Sequence, residues 1–86
     1  MEETLIGIKN SAISLILGTS ELKELEEIKL QFLGRRGKLT LLLKDITNVP
    51  QEKRPQIGTL ANEVKQTIEQ TIFQKQRKLE SQKYNS

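Results

Sequence analysis

One apolar seam constrains this chain more than anything else in it. Ile57, Leu60 or Ala61, Val64, Ile68, Ile72 and Leu79 recur at intervals of three, four or seven. That period places them on one face of an α-helix, facing a neighbour. Pro55 suits the first turn of such a helix, and a single turn over 50–53 can precede it. A helix of about 30 residues from there is about 45 Å long, and its seam needs cover along that length. Residues 20–46 supply it, first with Leu22, Leu25, Ile28 and Phe32, then with Leu39, Leu42, Leu43 and Ile46. The predicted fold is therefore all-α: an antiparallel two-helix coiled-coil hairpin over 20–84.

Gly34 and Gly37 interrupt the covering strip. Each costs roughly 1 kcal/mol inside a helix relative to Ala, so the pair predicts a kink where the backbone leaves helical geometry. An extra N-terminal helix within 1–19 is predicted from Leu5, Ile8, Ala12, Leu15 and Ile16. Gly18 suits the position after its end, and Thr19 or Ser20 the N-cap of the next helix, with Glu21 in its first turn. Gly58, inside the seam, suggests close approach of a neighbouring helix. Residues 81–86 read as a linker or frayed terminus.

Composition narrows the function. Only 35% of 86 residues are apolar and 3% aromatic, with no Trp. So small and thin a core favours an elongated object that buries a seam. There is no Cys and no His. Their absence removes disulfides, thiolate chemistry, the commonest general base and the commonest metal ligand. No metal site and no catalytic residue is predicted. The apolar residues of 4–17 are broken by Lys9, Asn10, Ser11 and Ser14, far short of the ~20 residues of a membrane span. A soluble cytoplasmic chain is expected.

Charge is unevenly spread. Residues 1–30 carry three basic and six acidic side chains, whereas residues 31–86 carry eleven and five. Such polarity hints at an anionic partner for the second part, although a solvated helical face gives the same pattern. The acidic pairs Glu26/Glu27 and Glu63/Glu69 read as solvated surface. The run around Gly34 and Gly37 lacks the GxxxxGK[ST] spacing of a phosphate loop. Better candidates are cationic: Arg35, Arg36 and Lys38 at the bend, then Lys75, Arg77, Lys78 and Lys83 on the last turns. Arginine offers planar donors that match phosphate oxygens. Phe32, Phe73 and Tyr84 are too few for a stacking platform, so a folded or duplex nucleic acid gripped at its backbone is expected. A solvated bend, or pairing of Arg35 and Arg36 with acidic residues of the second helix, is the alternative.

Further motifs extend the pattern in both directions. Leu25-Glu26-Glu27-Ile28, Leu33-Gly34-Arg35-Arg36-Gly37-Lys38-Leu39-Thr40, Leu42-Leu43-Lys44 and Pro50-Gln51-Glu52-Lys53-Arg54-Pro55 are followed by Ile57, Gly58, Asn62, Glu63 and Lys65. In this order and spacing they resemble the N-terminal domain of the bacterial phenylalanyl-tRNA synthetase alpha subunit. The resemblance covers about residues 20–80. It implies a helical arm that precedes the catalytic module of a class II synthetase and packs against tRNA. It further implies an α2β2 heterotetramer, with tRNA(Phe), the beta subunit and a second alpha subunit as partners. ATP, Mg and phenylalanine sites would then lie beyond residue 86, leaving no cofactor in this domain and no ligase activity in it alone. By resemblance Gly34 and Gly37 form the bend, and Arg35, Arg36 and Lys38 lie near RNA. A helical hairpin serving mainly protein–protein or intersubunit docking is the competing expectation.

Overall fold

The computed structural model describes residues 2–85, without the side chains of residues 83–85. Its elements are α1 (Glu2–Gly18), α2 (Leu22–Leu33), α3 (Lys38–Asp45), a single 3-10 turn (Ile46–Asn48) and α4 (Arg54–Asn85), with no strand among the described residues. The molecule measures 53 × 20 × 15 Å, the elongated shape that a thin core requires.

Shared grooves fix the helix directions. Leu22 lies by Leu79, Leu25 by Ile72, and Leu33 by Lys65 and Glu69, so α2 runs antiparallel to α4. Gly18 adjoins Glu24, whereas Asn10 adjoins Phe32, so α1 runs antiparallel to α2. Helix α1 therefore lies parallel to α4, and these two make the most extensive helix–helix contact. The hairpin is present, and α1 is built into it. Leu5, Ala12 and Ile16 of α1 share one core with Leu25, Ile28, Phe32 and Leu39, and with the α4 seam at Ile57, Ala61, Val64, Ile68, Ile72 and Leu79. Past the kink, α3 packs on α1, and the chain regains α4 through the 3-10 turn.

The tip is held by a residue that the seam does not reveal. Arg54 donates from its Nε to the Val49 carbonyl at 3.1 Å and from its Nη2 to the Thr47 carbonyl at 2.6 Å. Backbone N–H groups of Lys53 and Arg54 both reach the Pro50 carbonyl. A single turn thus forms at 51–53 before α4 begins, as the two prolines suggest.

Local expectations needed correction at four points. The N-cap of α2 is Glu21, whose extended backbone (φ −122°, ψ 135°) makes no side-chain cap bond. Thr19 is buried instead, and its Oγ1 donates to Glu24 Oε2 at 2.7 Å. The hydroxyl is drawn to the charged carboxylate in the first turn, a stronger acceptor than a neutral partner. Gly18 closes α1 as its last helical residue, with no left-handed cap. Residues 81–85 continue α4 where a linker is expected, because Leu79 is still buried and holds the helix to the core. Gly58 is not a contact point: nothing lies within 4 Å of where its Cβ would be.

This separates two kinds of glycine by experiment. Gly58→Ala adds a methyl to open space in a helix interior and is expected to raise stability by roughly 1 kcal/mol. At Gly37 the added Cβ would sit 2.5 Å from the Phe32 backbone carbon. Gly37→Ala is expected to lower stability by about 1–3 kcal/mol, since backbone must move. Urea unfolding of both variants measures this, and equal responses would contradict the assignment.

Candidate nucleic-acid interface

The bend is made by two glycines for a steric reason. Gly34 (φ −69°, ψ 175°) and Gly37 (φ −66°, ψ 155°) both lie in extended backbone that any residue can adopt. What excludes a side chain is proximity, because a Cβ at Gly34 would lie 2.5 Å from the Leu30 carbonyl oxygen. The Gly34 N–H closes α2 on the Leu30 carbonyl at 3.0 Å. The Gly37 N–H then turns back to the Gly34 carbonyl at 2.9 Å. The chain kinks into α3 within four residues, and Arg35 and Arg36 lie exposed at that kink.

Arg35 and Arg36 are exposed and make no hydrogen bond or ion pair with the described residues. Of the two alternatives, pairing with acids of the second helix is not seen, whereas a solvated bend has this same exposure. Lys38 is also exposed, and its Nζ stands 5.6 Å from the ring centroid of Phe32. That ring is itself only 1% exposed and forms the floor of the bend.

Helix α3 begins here, and its first helical bond runs from the Leu41 N–H to the Gly37 carbonyl. The N–H groups of Lys38, Leu39 and Thr40 precede that bond and aim along the positive end of the helix dipole. The first turn holds no acidic residue, and Gly37 has no side chain with which to cap it. Lys38 in this first turn and Arg35 and Arg36 just before it add positive charge to an uncompensated positive helix end. That arrangement is unfavourable alone and favours an anion.

The members of the second basic cluster have different surroundings. Lys75 is half-buried and donates from its Nζ to the Leu17 carbonyl at 3.2 Å. Helix α1 has no basic residue in its own last turn, so Lys75 serves that negative end from across the interface. This also explains why the seam carries a lysine between Ile72 and Leu79. Arg77 lies two residues on, about 200° around the helix, with its guanidinium 5.8 Å from the Phe73 ring centroid. Lys78 is exposed. The side chain of Lys83 lies outside the described residues.

Sequence reasoning missed a groove between α2 and α4, opposite α1. It has a volume of about 640 Å³, and Lys29, Leu33, Lys65 and Phe73 are among its lining residues. Phe73 is 59% exposed. The signal was available, since Phe73 directly follows the seam residue Ile72 and so must point off the seam. No three His, Cys, Asp or Glu side chains among the described residues converge to hold a metal ion. No helix among them is long and apolar enough to cross a membrane.

The family model described as aminoacyl tRNA synthetase class II, N-terminal domain, matches residues 20–86. The phenylalanine–tRNA ligase alpha subunit of Geobacillus kaustophilus is 39% identical over 82 residues, covering 95% of this chain and 24% of that protein. The alpha subunit of Bacillus pumilus is 38% identical over the same shares. That of Clostridium botulinum is 43% identical over 72 residues, 84% of this chain and 21% of that protein. The chain thus spans about a quarter of the length of the curated relatives it matches.

Proposed function

Because the chain belongs to the N-terminal domain family of class II aminoacyl-tRNA synthetases, we propose that it is the tRNA-binding arm of a phenylalanine–tRNA ligase alpha subunit. The observation that carries this reading is the bend. Arg35, Arg36 and Lys38 are exposed and lack acidic partners around the uncapped start of α3. A phosphate backbone supplies the charge that this arrangement lacks. The 53 Å length of the molecule suits an arm that reaches along a folded RNA. The remaining cations have divided duties, with Lys75 committed to the end of α1 and Arg77 and Lys78 accessible.

In this reading the arm performs no chemistry. Aminoacylation with ATP and Mg belongs to the rest of a cytoplasmic α2β2 ligase, assembled from a beta subunit and a second alpha subunit. The chemistry is assigned to the rest of the ligase, and the arm is assigned RNA binding alone. Its task is to hold tRNA(Phe) in register while the acceptor end is charged elsewhere.

The test uses the whole ligase. Replacing Arg35, Arg36 and Lys38 together by Gln is expected to raise the KM for tRNA(Phe). Phenylalanine activation, followed by pyrophosphate exchange, should stay at its wild-type rate because that step needs no RNA. An unchanged KM would remove the bend from the interface. Loss of activation would assign these residues a different role.

A second reading, intersubunit docking, is favoured by Leu15 and Leu17, which α1 leaves 47% and 64% exposed. In that case, substituting both by polar residues would weaken assembly of the ligase and leave tRNA binding by the isolated chain intact.

A further inference from the structure

The α2–α4 groove has an unusual combination of groups for a helical surface. Phe73 presents a largely exposed ring at its edge, and Lys29 and Lys65 flank it. Arg77 stands against the ring, 5.8 Å from its centroid. Gln70 and Gln74 also line the groove and make no hydrogen bond with the described residues. Glu69 is the one carboxylate lining this section, so its balance is cationic. The adjoining section of groove toward Leu22 holds Glu26 and Glu80 and is not.

We propose that this bend-proximal section takes one unpaired nucleotide of the bound RNA, its base stacked on Phe73 and its phosphates met by Lys29 and Lys65. The inference deepens the tRNA-binding reading and rests on it. Every nucleobase has a π-face, and an exposed aromatic ring beside cations is the elementary unit of unpaired-base capture. The free amides of Gln70 and Gln74 each carry a donor and an acceptor, matching the edge of a base. A volume of about 640 Å³ falls within the range of pockets that hold small aromatic ligands.

A protein helix is the poorer occupant. It would need a row of apolar sockets for anchors at i, i+3, i+4 and i+7. This section offers Leu33 and Phe73, with Ile72 already buried by the seam, and the rest of its rim is amide and charge. Composition predicts too few aromatics for a stacking platform, and the proposal departs from that at one ring, which the fold leaves outside the core.

The experiment measures affinity of the 86-residue chain for a tRNA(Phe) transcript by filter binding over a series of KCl concentrations. Phe73→Ala is expected to weaken binding roughly ten- to a hundredfold, the range for loss of one stacked base. It should leave the salt slope unchanged, since no phosphate contact is removed. Phe73→Tyr should bind like wild type and Phe73→Leu like the Ala variant. Equal affinity of the Leu variant and wild type would overturn stacking while leaving the arm reading standing. Equal affinity of all four, with wild-type self-association lost on sedimentation of Phe73→Ala, would give the groove to a second copy of the chain. Failure of the wild-type chain to bind the transcript at low salt would overturn both the inference and the arm reading.

Discussion

Phe32→Ala is expected to lower the unfolding free energy of this domain by about 3–5 kcal/mol, the loss typical of truncating a fully buried aromatic. The ring is 1% exposed and lies where α2, the bend and α1 meet, facing Asn10 and Ser14 and carrying Lys38 above it. Its removal leaves a cavity under the turn that three elements share, and rigid helices cannot close it without shifting α3. A domain of this size has roughly 4–13 kcal/mol of stability in total, so the variant keeps a fraction of it. At about 4–8 °C per kcal/mol, the melting temperature should fall by tens of degrees. Thermal melting followed by circular dichroism measures this directly. An unchanged melting temperature would mean that the bend does not rest on Phe32.

The cost also reaches function. Arg35, Arg36 and Lys38 stand on a turn in which a Cβ at Gly37 would meet the backbone of Phe32 and one at Gly34 that of Leu30. A loosened turn no longer fixes the spacing of the three cations, although each remains present. Stability and RNA affinity should therefore fall together in Phe32→Ala. Phe73→Ala, at an exposed position, should reduce only affinity.

The seam was legible because its period is set by helix geometry alone. Ile57, Ala61, Val64, Ile68, Ile72 and Leu79 occupy the buried face as their spacing requires, as do Leu25, Ile28 and Phe32 opposite them. The bend was legible for a related reason, since two glycines three apart oppose a continuous helix. Their cause was not legible. Gly34 and Gly37 are needed for close approach to Leu30 and Phe32, and such proximity exists only after the turn has formed. Gly58 shows the converse, with the same residue type in a similar apolar context and no neighbour within reach.

Interactions between distant segments were the least visible part. Lys75 reads as one of a basic cluster, yet its amine is spent on the Leu17 carbonyl, 58 residues away in sequence. That pairing follows from the parallel placement of α1 on α4, which neither stripe specifies. Arg54 likewise reads as part of a charged tip and proves to be its clasp. Phe73 was discounted through a chain-wide count of aromatics, when its place one residue beyond Ile72 decided its exposure. Side chains that serve backbone carbonyls or stand off a seam are set by where helices end and cross, and only the assembled fold supplies that.

The central claim is that the bend holds RNA through phosphate contacts, and the dependence of tRNA(Phe) affinity on salt tests it most directly. For the 86-residue chain, log affinity should fall linearly with log KCl. Replacing Arg35, Arg36 and Lys38 by Gln should flatten that slope by about 2–3, near unity per lost contact. Cognate and non-cognate tRNA should weaken about equally, because phosphates carry no base identity. Unchanged affinity of the triple variant at low salt, with an unchanged slope, would contradict the claim.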